Sequence, residues 1–290
     1  VLISLLIIFT GLVSAATVAL GFAGYLSNLI SLNYLLSAVI VIVLMTAINY
    51  HGIKDSNKFN LVSTFIEFIG LVIIIALGVG QWGRADLLDM PNGLSGVFKT
   101  GALVFFAFMG FETIVKLTEE TKNPQKTIPK AIIISIIITT VLYVLVSMSA
   151  VNILPASELA SSKSPLADAA ASVFGNPAFI LLAIIALFST SNTVLLTLLT
   201  TSRMAYGMAE EGSLPKMFSK IGKKHTPYIA VIVSGIITLL FVMIKDIGFV
   251  ADLTTALLFI TFALVNLSVI VLRYKDNSKR GFRIPFNIGK

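Results

Sequence analysis

Three places in this sequence carry residues able to do chemistry inside an apolar setting. The first is Glu67, within the run STFIEFIGLVIII. A carboxylate at mid-membrane depth costs at least about 2.5–3.5 kcal/mol on insertion scales, so it faces the interior of a bundle. There it can carry a proton or hold a cation. It can equally be a protonated, hydrogen-bonded structural carboxyl. The second is FFAFMGFE, residues 105–112, in a stretch free of charge only from Thr100 to Phe111. Gly101 and Gly110 interrupt it, and Glu112 and Lys116 follow. A short, glycine-interrupted span is the best sequence pointer to a binding site in a transporter, because a broken helix frees backbone carbonyls and amides for a ligand. The competing reading is that Gly110 only lets two helices approach closely. Glu112 would sit at the start of the half-helix after such a break, where negative charge is favoured. The third is the polar run Ser189-Thr190-Ser191-Asn192-Thr193. Its oxygens could coordinate a hard cation such as sodium, or could serve interhelical hydrogen bonds worth only about 0.6–2 kcal/mol each.

Other chemistries are missing from the sequence. It has no cysteine, so thiolate metal sites, disulfides and cysteine nucleophiles are excluded. The two histidines, His51 and His225, fall in polar segments, and no HExxH occurs. No glycine-rich phosphate loop ending in Lys-Ser/Thr is present. No metal and no cofactor is expected, and an enzyme is a weak reading.

The elements that must position these residues follow from composition. Of 290 residues, 57% are apolar and 12% charged, against about 25% charged in soluble domains. No charge occurs from Val1 to Ile53. The fold class is therefore an all-α polytopic membrane protein with the lipid bilayer as its partner, since lipid forbids open sheet edges. Eight spans are expected, near 1–27, 33–50, 59–80, 97–117, 130–151, 175–205, 227–244 and 250–272, all in a single transmembrane domain, 1–290. The Ala/Ser-rich segment 155–172 reads as one amphipathic helix lying over an outer face.

Eight spans distribute the 21 lysines and arginines unequally: 17 fall on one side and 4 on the other. The positive-inside rule makes the richer side cytoplasmic, with loops 51–58, 118–130, 206–226 and 273–290. The net charge of +7 is then topology, and nucleic acid is not a partner. A multi-pass protein of the cell membrane is expected. The sequence begins inside an apolar run, shows no signal peptide, and ends in a polar stretch, so it reads as an internal piece of a longer protein. Asn266-Leu-Ser268 matches a glycosylation sequon but lies inside the last span and is discarded.

The stretch FFAFMGFETIVKLTEETKNPQKTIPKAI, residues 105–132, resembles the sixth span and following loop of the amino acid–polyamine–organocation family. The matching pieces are the aromatic-Gly-aromatic-acid break, Glu119-Glu120, Asn123-Pro124 and Ile128-Pro129. SRMAYGMAEEGSLPKMF, residues 202–218, with Thr226-Pro227, is similar to its eighth span and loop, and residues 49–54 resemble its fourth-to-fifth loop. The resemblance covers essentially the whole chain. It implies an inverted-repeat transporter bundle, shared with the sodium-coupled neurotransmitter symporters, of which this chain holds spans three to ten.

The resemblance also implies roles. Carbonyls of Phe106, Ala107 and Met109, at the Gly110 break, would receive a substrate amino group. Phe111 would close over the substrate as a gate, and Glu112 matches an acidic position linked to gating. Thr193 and Thr197 would lie near the substrate, with Ser189, Thr190, Ser191 and Asn192 near a cation site. There is one departure. Some proton-coupled relatives carry a lysine where Glu67 falls, and a carboxylate cannot stand in for a cation, though it can carry a proton itself. The expected function is secondary transport of amino acids or related amines by alternating access around 105–112, coupled first to H+ (or Na+), with substrate exchange second. Amino acid exchange, or a non-transporting sensor or subunit, is the alternative.

Overall fold

The computed structural model describes residues 1–111, 121–222 and 226–275, with backbone only for 53–55. The described residues form helices and turns. In order they are α1 (Leu2–Ile30), α2 (Tyr34–His51), α3 (Ile53–Val79), α4 (Gly93–Val104), a 3-10 turn (Phe105–Phe108), α5 (Pro124–Ile153), α6 (Ala156–Ser161), α7 (Pro165–Phe174), α8 (Asn176–Glu210), a second 3-10 turn (Lys216–Ser219), α9 (Tyr228–Val242) and α10 (Ile247–Lys275).

Among the described residues six helices are long and apolar enough to cross a membrane: α1, α2, α3, α5, α8 and α10. The eight expected spans are therefore not all met. The span expected at 227–244 is the 15-residue α9, which at 1.5 Å per residue reaches only about 22 Å, short of a hydrocarbon core of about 30 Å. The span expected at 97–117 is α4 and its 3-10 extension, interrupted at Met109–Gly110; residues 112–117 lie outside the described ones. Helix ends also differ from the expected limits. α5 starts at Pro124 and α8 runs on to Glu210.

α1 and α8 form the centre of the bundle. Ala15, Ala16, Ala19, Ala23 and Ala38 are fully buried there with Leu20, Ile42, Val194 and Leu195. Small side chains let helix backbones approach, which matters in lipid because no hydrophobic force drives apolar helices together. At Gly11 an added Cβ would collide with the Thr201 hydroxyl of α8. α10 packs on the same helix, with Thr17 and Thr254 hydroxyls 3.3 Å apart.

The segment expected as one helix over an outer face is instead two short helices, and the second is built into the bundle. Ala167, Ala169 and Ala170 of α7 are fully buried. Pro165 explains the interruption, since it disfavours helical geometry at Ser164 and has no N–H to give. Asp168 accepts from the hydroxyls of Ser162 and Ser164, and Asn28 of α1 donates to Ser164 at 2.9 Å. These bonds tie the interruption to α1, whose Gly24 leaves room for the Lys163 carbonyl and nothing larger.

Candidate functional site

The backbone leaves helical geometry where the glycine-interrupted span predicts. After the 3-10 turn, Met109 has ψ 136 and Gly110 has φ +122. Among the described residues a Cβ at Gly110 would meet nothing within 4 Å. The backbone conformation is one that favours glycine, which supports the reading of a break over that of close helix packing.

The break opens on a cavity of about 420 Å³. Phe106, Ala107, Met109 and Gly110 line it from the break, Thr193 and Thr197 from α8, and Gly11 and Ser14 from α1. Six sequence-nominated residues, from segments more than 80 positions apart, are brought together here. The α8 contribution continues through Leu196, Thr200, Thr201 and Met204. From Thr193 these recur at the three- and four-residue steps of one helix face. That periodicity was available in the sequence and could have extended the pair to the full stripe. Ser14, by contrast, carried no signal of its own, as a small polar residue in an otherwise apolar helix.

Tyr143 of α5 is the residue that sequence reasoning missed. Its Oη donates to the Ala107 carbonyl at 2.7 Å, and its ring meets Phe108 edge-on at 5.2 Å. It also lines the cavity. An aromatic in an apolar span looks like packing, so nothing in the sequence singled it out.

Phe111 borders an adjoining cavity of about 260 Å³ and does not line the larger one. Its ring stacks on Phe262 of α10 at 5.9 Å, nearly parallel. Phe105 packs against Phe259 and Phe262, at 5.2 and 5.8 Å. The break is therefore seated on α10 through aromatic faces, an arrangement favoured by ring quadrupoles. Glu112, expected just beyond, lies outside the described residues.

Glu67 does not line the cavity. It shares an α3 face with Ser63, Gly70 and Ile74, at helical steps of four, three and four. Ser63 and Ile74 are fully buried, and a Cβ at Gly70 would strike Ile185 of α8. Phe65, Phe68 and Ile69 point outward. Glu67 is half-buried on this inward face, with the Ser189 hydroxyl as hydrogen-bond neighbour and Tyr143 within reach of its charge.

The four residues nominated as a cation site do not converge. Thr190 donates to Ala186 O at 2.6 Å, Ser191 to Phe188 O at 3.0 Å, and Thr193 to Ser189 O at 3.1 Å. At 100° per residue, Ser189 and Asn192 turn toward α3 while Ser191 turns to the opposite side. Asn192 donates to Asn60 Oδ1 of α3 at 3.0 Å, and its own Oδ1 is buried without a partner among the described residues. The hydroxyls of Thr190, Ser191 and Thr193 thus satisfy carbonyls of their own helix, a common fate of Ser and Thr in helices.

Residues 1–289 match the family described as Amino acid permease. The chain is 32% identical over 253 residues to the branched-chain amino acid permease BcaP of Bacillus subtilis, covering 86% of this chain and 54% of that relative. It is 31% identical over 255 residues to the methylthioribose transporter of the same organism, covering 87% and 55%. The vacuolar cationic amino acid transporter 4 of Arabidopsis thaliana is 29% identical over 245 residues, covering 82% and 41%. The chain spans about half the length of these curated relatives.

Proposed function

We propose, on the premise that this chain belongs to the amino acid permease family, that it forms the core of a secondary amino acid transporter working by alternating access. The observation that carries this reading is the cavity at the break, lined by the backbone of residues 106–110 and by Thr193 and Thr197. Backbone carbonyls released from a helix suit an ammonium group, which brings donors and no acceptor. Among its described lining residues no side chain is charged, and Ile7, Val18, Leu196 and Met204 give it apolar walls. These walls favour an amino acid with a neutral, apolar side chain over a cationic one, whose charge would be left buried and unpaired.

In this reading Phe111 is a gate resting on α10, and Glu67 is the coupling group. The carboxyl can bind and release a proton, and its charge reaches Tyr143, whose hydroxyl holds the Ala107 carbonyl. The hydroxyls of Thr190, Ser191 and Thr193 are engaged along their own helix and that of Ser189 faces the Glu67 carboxyl, which supports H+ ahead of Na+ as the coupling ion. The lysine-rich loops lie on the cytoplasmic side of the cell membrane, as loop charge dictates.

Uptake by the full-length protein in proteoliposomes tests the reading. Radiolabelled L-leucine, L-arginine and methylthioribose are offered under an inward proton gradient. Accumulation of leucine above the other two is expected. Accumulation of methylthioribose alone, or of none of the three, overturns it.

A further inference from the structure

We propose that Tyr143 is a specificity-determining positioning residue, whose phenol holds the Ala107 carbonyl turned into the cavity so that the site selects ligands bearing a free amine. This rests on the transporter reading above and assigns selection to a residue outside the break. The 3-10 turn is held by its neighbours at three of its four residues. Phe105 is stacked on Phe259 of α10, Phe108 meets the Tyr143 ring, and Ala107 O accepts from Tyr143 Oη at 2.7 Å. Phe106, the fourth, faces the cavity. The ring contact with Phe108 fixes where the phenol stands, and the hydrogen bond uses that position to fix the carbonyl.

A carbonyl oxygen has two lone pairs, so the phenol leaves one for a ligand. Tyr143 and Ala107 both line the cavity, and an ammonium entering it finds an acceptor that needs no reorientation. Preorganisation of this kind lowers the cost of binding. A ligand without the amine leaves the fixed acceptor facing an apolar group, and sites built on hydrogen bonding reject such analogues strongly. Without the phenol, the carbonyl can relax away from the cavity, and the penalty against the analogue falls.

The test compares L-leucine with its deaminated analogue, 4-methylpentanoate, as competitors of leucine uptake by the full-length protein in proteoliposomes. Tyr143→Phe keeps the ring against Phe108 and removes only the hydroxyl. The expected result is that the wild type's preference for leucine shrinks on the order of ten-fold, the scale lost when a ligand's orienting partner is removed. The KM for leucine rises while the inhibition constant of 4-methylpentanoate stays unchanged or falls. A ligand-induced thermal shift on purified protein reads the same ratio without flux and shows that the variant is folded. A merely structural tyrosine would weaken both ligands equally, leaving the ratio fixed, and an unchanged ratio overturns the proposal. Absence of leucine uptake in the wild type overturns the transporter reading and this proposal together. Normal wild-type uptake with an unaltered Tyr143→Phe ratio removes this proposal alone.

Discussion

The α1–α8 pair and the α4–α5 arm are built on different principles. α1 and α8 bury long faces in the same core, with alanine the commonest buried residue of α1 and leucine of α8. The arm buries little among the described residues. α4 has no buried residue, and α5 buries only Ser149, Ala150 and Asn152 near its end. Ile133, Ile134, Ile137, Ile138, Val141 and Val144 of α5 are all exposed. The arm is attached at separate points instead. Tyr143 bonds Ala107, phenylalanines stack on α10, Trp82 Nε1 donates to Ser149, and the amides of Arg84 and Ala85 donate to Asn152 Oδ1. Interdigitated small residues give one packed arrangement that resists sliding. Aromatic stacks and single hydrogen bonds can be exchanged one at a time. On the proposed transport reading this contrast makes α1–α8 the rigid half and the arm the movable half, with the cavity at their junction.

The largest effect is expected at Glu67, which stands outside the cavity beside Ser189 and within reach of Tyr143. Glu67→Gln keeps size and hydrogen bonding but cannot exchange a proton. In proteoliposomes, gradient-driven uptake should fall to background while exchange of internal for external amino acid persists. Gradient-driven uptake at the wild-type level would remove Glu67 from the coupling step and leave it as part of the rigid half.

Gly110→Ala comes next. A Cβ meets no described residue within 4 Å at this position, so the expected cost is backbone strain, on the order of 1–3 kcal/mol. That corresponds to roughly ten-fold or more in uptake rate. Gly101→Ala, in helix with equally open surroundings, is the control and should transport normally. Equal behaviour of the two variants would mean that the break is not a working part of the movable half.

The rigid half should respond in stability and not in transport selectivity. At Gly24 an added methyl falls on the backbone carbonyl of Lys163, which cannot move aside as a side chain can. Gly24→Ala should cost about 1–3 kcal/mol, seen as a lowered midpoint of thermal unfolding in detergent. An unshifted midpoint would show that the α1 to α7 contact is as adaptable as the arm. The smallest effect is expected for Thr193→Val. Thr193 lines the cavity, but its hydroxyl already donates to Ser189 O. One neutral hydrogen bond to a ligand is worth about 1 kcal/mol, or roughly a five-fold rise in KM. A far larger loss would place the principal polar contact on α8 and not on the break.

The sequence by itself determined the class, the number of long apolar segments within two, and the position of the break. These are local properties. Span length follows from bilayer thickness, the charge-free stretch from Thr100 to Phe111 marks a short span, and Gly110 announces a backbone conformation open chiefly to glycine. Thr193 and Thr197 were nominated with the break and line the same cavity. Other features depend on distant segments meeting, and one chain's composition does not encode that. The conformational role of Gly110 is supported by its backbone angle, which the sequence alone does not show. The polar run of α8 reads as a cation site or as interhelical hydrogen bonding, and its members meet different neighbours in the fold. Pro165 made the interruption of the outer helix a local matter, but its seat against α1, through Asn28 and Ser164, is tertiary. Tyr143 was invisible in the sequence, since its role exists only because α5 lies beside a helix broken 36 residues earlier. Tertiary structure supplied that neighbour, and with it the partner of the freed carbonyl.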